Sequence, residues 1–384
     1  MTKRSDRIGI GVIGCGNWGP NHIRVFSELD GAEVVACADL NEARLDRIRK
    51  RYPQIHATTD YRSWLSDDGR AQLAGRIDAV VVATPTKTHA AIALEVLQAG
   101  KHVLVEKPLC MTSKEAYELS TAADAANRVL MVGHVFVFNS GIVKLRETIE
   151  SRELGRIQYL DAVRTNLGPV RGDVNALYDL GTHDISIFNY LLDSTPVAVS
   201  AHGRCITQPA IEDVCFVTLR YPDGTIGHIH VSWLNPRKVR TLTIVGEQKM
   251  AHWDDVDPAG MVRLYDKGLD EPPCYDSFGE FRCLIRSGDV HLPAFTQTEP
   301  LLSQAEAFVR WINTGEVCGP DARDGLVIAK VLETAMLSMN NGGVMCPIAL
   351  DDTPACKTAT ADAATLEYRP QPEIQKPDVL IPGV

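Results

Sequence analysis

The sequence predicts a doubly wound parallel α/β sheet followed by an α+β domain built on a mostly antiparallel, open sheet. Two textures point to this. Residues 8 to about 135 alternate continuous apolar runs with helix-periodic segments, the pattern of right-handed βαβ units covered on both faces. After His134 the runs instead alternate polar with apolar, as strands with one buried face do. Length agrees, because 384 residues exceed what one hydrophobic core usually supports. The expected division is 1–135, 136–348, and an extended arm over 349–384 rich in proline.

In the first part the strand signals are Ile8 to Ile13, Glu33 to Ala38, Ala79 to Ala83, His102 to Val105 and Val129 to Val132, with a short candidate near Ile55 to Ala57. Between them, His89 to Gln98 reads as a helix with Ala90, Ile92, Ala93, Val96 and Leu97 on one face, stopped by Gly100. In the second part a helix over Ile142 to Leu154 ends at Gly155. Glu212 to Tyr221 and Ile226 to Leu234 form a hairpin across Pro222-Asp223-Gly224-Thr225. A second hairpin joins Thr241–Val245 to Met250–Trp253 across residues 246–249, and late helices occupy Leu301 to Asn313 and Asp321 to Asn340. One face of this sheet must be covered by helices. The other is free to meet a second copy, so a homodimer or homotetramer is expected.

Composition narrows the partners. Apolar residues at 45% and charged residues at 23% are ordinary for a globular protein, and the net charge of −10 with no basic run argues against nucleic acid or a membrane surface. Ten scattered cysteines show no C-x-x-C or paired-histidine spacing, so no metal site is expected. Free thiols and the lack of a signal peptide or long apolar run favour a cytoplasmic setting.

Gly14-Cys15-Gly16-Asn17-Trp18-Gly19 is a G-x-G-x-x-G run between the first strand and a helix whose apolar positions include Trp18, His22, Val25, Phe26 and Leu29. The second strand then ends in Asp39, about 20 residues on, completing the Rossmann fingerprint. Gly14 permits the tight turn, Gly16 lets a pyrophosphate approach the backbone, and Gly19 lets helix pack on strand. Asp39 would accept hydrogen bonds from ribose hydroxyls and repel a 2′-phosphate. NAD is therefore favoured, and Arg44 leaves NADP open.

Two further constellations carry chemistry. In Val103-Leu104-Val105-Glu106-Lys107-Pro108 a lysine stands just past the carboxyl end of a parallel strand, where open α/β sheets bind ligands. Partly desolvated, it suits proton exchange; taken alone, it reads as an exposed lysine at a loop start. In Asp179-Leu180-Gly181-Thr182-His183 the four-residue spacing would put both side chains on one helical face, with Asp179 orienting a general acid or base at His183. Taken alone, Asp179 reads equally as an N-cap and His183 as a structural histidine.

With Ala83-Thr84-Pro85-Thr86-Lys87-Thr88-His89, these motifs resemble the glucose-fructose oxidoreductase/inositol dehydrogenase/rhizopine catabolism (Gfo/Idh/MocA) family over roughly residues 7 to 345. The resemblance implies hydride transfer between a nicotinamide and a sugar, sugar-nucleotide or cyclitol carbinol. It casts Lys107 and His183 as the acid/base pair tuned by Asp179, and makes Lys107–Pro108 a cis bond. Gly14, Gly16, Asn17, Trp18, Gly19, Asp39, Thr84, Pro85, His89, Glu106 and Lys107 would contact the cofactor. The stretch 164–175 looks like the substrate loop of members acting on nucleotide-linked sugars. Arg164, Asn166, Arg171 and Asn175 would then join His183 at the substrate, the arginines gripping a diphosphate or carboxylate. Members often carry His-x-x-Arg-Phe after the last strand of the first sheet; here Val137 stands in place of the arginine, which leaves substrate specificity open. The expected activity is an NAD-dependent oxidoreductase acting on a ring carbinol of a nucleotide-linked hexose. Alternatives are a redox-neutral NAD-assisted epimerase or lyase, and a non-catalytic dinucleotide sensor.

Overall fold

A computed structural model describes residues 7–65, 73–270 and 284–349. Cys274, Cys283, Cys356 and the expected arm beyond residue 349 lie outside the described residues. The first half alternates β1 (Ile8–Ile13), α1 (Gly19–Glu28), β2 (Ala32–Ala38), α2 (Glu42–Arg51), β3 (His56–Thr58), β4 (Ala79–Val82), α3 (His89–Gln98), β5 (His102–Glu106), α4 (Ser113–Ala126) and β6 (Leu130–Gly133). The strands form one sheet in the order β3-β2-β1-β4-β5-β6 with every pairing parallel. This is the doubly wound order whose direction reverses beside β1, where the crevice forms.

Strand alternation divides the apolar residues between two cores. Val80, Val82, Val103 and Val105 face α3 and α4, while Ile10, Val12, Val81 and Leu104 face α1 and α2. Continuous apolar runs are what a sheet buried on both faces requires.

The second half comprises α5 (Ser140–Glu150), β7 (Ile157–Leu167), α6 (Thr182–Leu192), β8 (Ala198–Arg204), β9 (Val214–Arg220), β10 (Ile226–Ser232), β11 (Leu234–Gly246), β12 (Met250–Asp254), β13 (Val262–Asp270), β14 (Leu284–His291), α7 (Pro300–Thr314), α8 (Ala322–Asn340) and β15 (Cys346–Pro347). Its nine strands run β14-β13-β12-β11-β7-β10-β9-β8-β15, all antiparallel except the β7–β10 pair. Both expected hairpins are present in register, Ile226 opposite Arg220 and Val245 opposite Met250. Helix α5 begins two residues earlier than its apolar pattern implies, because the Asn139 side chain caps it by accepting from Gly141 and Ile142 N–H.

Leu160, Ala162, Val217, Leu219, Ile229 and Val231 of this sheet pack beneath α5, α6 and α8. The opposite face leaves Tyr159 and Phe216 each 45% exposed. Helix α8 serves both halves, since Ala322 and Ala329 join the first sheet's core while Ile328, Val331, Leu332 and Ala335 join the second's. Helix α7 likewise returns to the first half, where Phe308 meets Phe26 edge to face at 6.3 Å. Chain order therefore does not separate the two halves cleanly.

A Cβ on Gly19 would stand 1.8 Å from the Gly14 carbonyl oxygen, and Gly14 itself has φ +94°. The turn and the helix start are thus one packed unit. Gly19→Ala should lower stability by roughly 2 kcal/mol or more through forced backbone displacement; a urea midpoint equal to the wild type's would contradict that packing.

Candidate active site

At the carboxyl edge of the six-stranded sheet a cleft of about 1090 Å3 opens, walled by the loops after β1, β2, β4 and β5 and closed on its far side by Pro169, Arg171, Asp173 and Asp179. The sheet order sets the order of functions along it. Asp39 follows β2, the glycines follow β1, Thr84 and Pro85 follow β4, and Glu106 and Lys107 end β5. Three strand spacings separate Asp39 from Lys107, roughly 14 Å.

In the glycine turn the tasks divide as their positions require. Gly14 and Gly19 have backbone atoms where a Cβ would go, whereas a Cβ on Gly16 would meet nothing nearer than the Arg44 guanidinium at 3.9 Å. The open side of Gly16 leaves main-chain N–H groups approachable, as an anion cradle at a helix start must be. Asn17 and Trp18 line the same wall. Asp39 anchors the turn, its Oδ2 accepting from Cys15 N–H at 2.7 Å and its Oδ1 from Asn41 N–H at 2.8 Å. Arg44 Nη1 lies 3.3 Å from the same carboxylate, partly offsetting the charge that would repel a 2′-phosphate.

Around β4 and β5, His89 lines the cleft, but its Nδ1 is 2.9 Å from the Pro108 carbonyl and its Nε2 2.8 Å from that of Thr84. Burial pushes its pKa down and the two carbonyls oppose that; a neutral ring, with a single N–H, donates to one carbonyl at a time while standing between the two loops. It pins the wall. The Lys107–Pro108 bond is cis. Glu106 is buried, with Oε1 2.8 Å from His22 Nε2 and Oε2 accepting from Lys107 N–H at 3.2 Å.

Lys107 reaches across the cleft. Its Nζ donates to the Asp179 carbonyl at 2.7 Å and approaches Asp179 Oδ1 at 3.4 Å. Burial lowers its pKa, the Asp179 and Glu106 carboxylates oppose that, and Arg171 adds to it. Asp179 also accepts from Arg171 Nη1 at 3.0 Å and from Trp233 Nε1 at 3.1 Å. Burial opposes its ionisation, but Lys107 and Arg171 outweigh that and hold it below the usual carboxylate range.

This geometry corrects the expected Asp179–His183 relation. The segment Leu177–Gly181 is a π-turn, so residues four apart are not stacked there, and Asp179 turns to Lys107, Arg171 and Trp233 instead. His183 lies buried, outside the cleft lining, with Nδ1 lacking a protein partner and its ring edge-on to Phe136 at 4.8 Å. Burial, with Lys107, Arg164, His134 and Arg240 nearby, drives its pKa well below the ordinary histidine value.

In the expected substrate loop three residues are engaged by the protein itself, away from the cleft lining. Arg164 is 3% exposed and grips Asp184 through Nε at 3.1 Å and Nη2 at 2.8 Å, because its position in β7 points inward. Asn166 Nδ2 donates to the Gly168 carbonyl, closing a local turn. Asn175 binds Glu212 and accepts from Tyr178 N–H, starting the helical segment. Only Arg171 lines the cleft, and it is already paired with Asp173 at 2.6 Å and with Asp179.

Val137, where the resemblance expected an arginine, is buried. Its neighbour Phe136 carries the guanidinium of Arg164 at 4.3 Å and that of Arg240 at 5.7 Å from its ring centre. Arg240 and Trp233 were not legible as site residues, since they come from segments with no motif, and Phe136 stands at a variable position of the His-x-x-Arg-Phe stretch. His22 had a signal, its place three residues after Gly19 on the buried helix face.

A dinucleotide-sized cleft at the switch point, with an open glycine turn at its centre and a part-buried lysine at one end, defines an oxidoreductase of the nicotinamide-dinucleotide class. The comparisons agree. Residues 8–134 match the GFO_IDH_MocA oxidoreductase family with NAD-binding Rossmann fold, and residues 142–252 match the GFO/IDH/MocA C-terminal domain. Inositol 2-dehydrogenase 2 of Saccharopolyspora erythraea is 28% identical over 379 residues, 96% of this chain and 98% of the relative. The UDP-N-acetylglucosamine 3-dehydrogenase of Acidithiobacillus ferrooxidans is 28% identical over 267 residues, 68% of this chain and 78% of the relative. The crystal structure of GenD2 from gentamicin A biosynthesis in complex with NAD superposes with a TM-score of 0.74 at 25% identity, covering 91% of this chain and 98% of that one. The chain belongs to the Gfo/Idh/MocA family and is an NAD-dependent oxidoreductase. Among the described residues no helix is long and apolar enough to cross a membrane, and no cluster could hold a metal.

His134 directly follows β6, with both ring nitrogens buried and without a protein partner; burial, reinforced by Lys107 and opposed by Glu106, brings its pKa to about 3. Below the ordinary histidine pKa of about 6.5 the unfolded state binds the proton that the folded state refuses until about pH 3, so stability falls with acidification across that window. In His134→Phe the unfolding free energy from urea titration should decline less steeply from pH 6 to pH 4, by up to roughly 1.4 kcal/mol per pH unit. An unchanged slope would show that His134 does not stay uncharged.

Proposed function

We propose that the chain interconverts a secondary alcohol and a ketone on the ring of a cyclitol or sugar, with Lys107 Nζ exchanging the hydroxyl proton. The observation that carries this reading is the part-buried Lys107 ammonium, held 2.7 Å from the Asp179 carbonyl at the end of the cleft farthest from Asp39. Bound NAD supplies the hydride acceptor or donor. The glycine turn would hold its pyrophosphate and Asp39 its adenosine ribose, as the open side of Gly16 and the strand order allow.

Everything else in the reaction falls to side chains. Burial eases proton loss from Lys107, and Asp179 keeps the ammonium accessible enough to return the proton in the reverse direction. Arg171 and Trp233 occupy both oxygens of Asp179, so its carboxylate cannot rotate away from the lysine. His183 is a neutral imidazole with no hydrogen bond to Asp179 and with Nδ1 unpartnered by the protein, which suits it to hydrogen bond a substrate hydroxyl.

An uncharged polyhydroxylated ring suits this cleft better than a diphosphate. Arg164 and Arg171, the guanidiniums expected to grip phosphates, are both satisfied by carboxylates, and the Arg164–Asp184 pair is buried and so costly to break. The inositol 2-dehydrogenase relative supports a cyclitol, whereas the UDP-N-acetylglucosamine 3-dehydrogenase relative supports a nucleotide-linked hexose. A panel of inositols, free hexoses and UDP-hexoses, followed by NADH absorbance, separates them. Turnover confined to UDP-hexoses would overturn the cyclitol reading. Self-association through the face bearing Tyr159 and Phe216 fits the open sheet and is read by light scattering.

Lys107→Ala should abolish turnover while NAD affinity changes less than about threefold, because the lysine acts on the substrate proton. Persistent turnover would reject its role. Asp179→Asn removes the anion that favours the ammonium and frees Arg171 to oppose it, so the ascending limb of kcat/KM for alcohol oxidation should move to lower pH. A limb that moves up, or stays, contradicts this electrostatic assignment.

A further inference from the structure

Beyond the residues that face the substrate, His22 has a place in the machinery that its position in the motif does not explain. It lies on the buried face of α1, the helix that starts at the glycine turn, and its Nε2 is 2.8 Å from Glu106 Oε1. A carboxylate oxygen can only accept, so Nε2 carries the hydrogen. The other ring nitrogen is buried and bonds nothing in the protein, and the ring stacks on Phe26 at 6.4 Å. The imidazole therefore has one polar engagement, and it is with Glu106.

Glu106 in turn has little freedom. Oε2 accepts from the main-chain N–H of Lys107, and Gly133 on the adjoining strand leaves 3.1 Å between a would-be Cβ and the Glu106 Cα, so the side chain lies against bare backbone. Burial raises its pKa, but the His22 hydrogen bond and the Lys107 charge outweigh that and hold it ionised. The carboxylate lines the cleft beside Lys107, at the end opposite Asp39. With the pyrophosphate at the glycines and the adenosine ribose at Asp39, the redox half of the dinucleotide falls at this end.

The oxidised nicotinamide ring is cationic and the reduced ring is neutral. A fixed, half-desolvated anion next to it discriminates between the two forms. We propose that His22 is a positioning residue that holds Glu106 as a fixed carboxylate at the redox end of the cleft, and that this pair biases the site toward oxidised over reduced cofactor. The inference rests on the NAD reading of the cleft. It also gives α1 a second function: the helix that receives the pyrophosphate reaches through His22 to the strand end that carries Lys107.

The test is equilibrium binding, without turnover. Dissociation constants for NAD+ and NADH, from tryptophan quenching and NADH fluorescence respectively, give the ratio Kd(NADH)/Kd(NAD+) for the wild type, His22→Phe, His22→Gln and Glu106→Gln. The ratio should fall roughly five- to tenfold in His22→Phe and in Glu106→Gln, and recover at least in part in His22→Gln, whose amide can still donate to the carboxylate. A structural effect of losing His22 would weaken both cofactors alike and leave the ratio in place. If His22→Phe does not fold, the near-isosteric Glu106→Gln decides. An unchanged ratio in Glu106→Gln overturns the proposal; failure of the wild type to bind either form overturns instead the NAD reading beneath it.

Discussion

The contact between Lys107 and Asp179 joins the two halves of the molecule at the point where chemistry is expected. Lys107 ends the fifth strand of the parallel sheet, and Asp179 sits at the start of the helix that covers the second sheet. Each would be costly to bury alone, since an unpaired charge removed from water loses its solvation. Together, and with Arg171 and Trp233 on the remaining carboxylate positions, they are compensated. Two cations share one anion here. Burial is what chiefly eases proton loss from the lysine, Arg171 adds to it, and the Asp179 and Glu106 carboxylates oppose it while holding the side chain in position.

A similar economy holds on the other side of the strand end. Glu106 supplies the second carboxylate near Lys107, and His22 and the Lys107 main chain hold it in place. The lysine thus stands between an anion shared with Arg171 and an anion shared with His22. The two serve different neighbours: Asp179 faces the loop that carries Arg171 and Asp173, and Glu106 faces the crevice at the sheet edge. Helix α8, packed into both cores, keeps the sheets in the relation that lets these groups meet.

The second half shows why spacing alone misleads. Asp179 and His183 are four apart, which on an α-helix means a shared face, but a π-turn at Leu177–Gly181 intervenes and each side chain finds different company. Arg164 belongs to an alternating strand, and alternation decides the side it faces. It points inward to Asp184, under Phe136, and is lost to a substrate phosphate. Asn166 and Asn175 are spent on turns and caps, the commonest employment of asparagine.

By itself the sequence determined the parallel sheet, the hairpins and the cofactor class, because those depend on local periodicity and on glycines whose steric reasons are local. Gly14, Gly16, Gly19 and Asp39 were legible for that reason, and Lys107 was placed by the strand it follows. The partners of Lys107 and Glu106 were decided only by the tertiary structure. Trp233 lies 54 residues from Asp179, and His22 lies 84 from Glu106. Hydrogen bonds across such separations depend on how sheets and helices pack, on which face an alternating strand presents, and on where a helix departs from its regular turn. No local pattern encodes these.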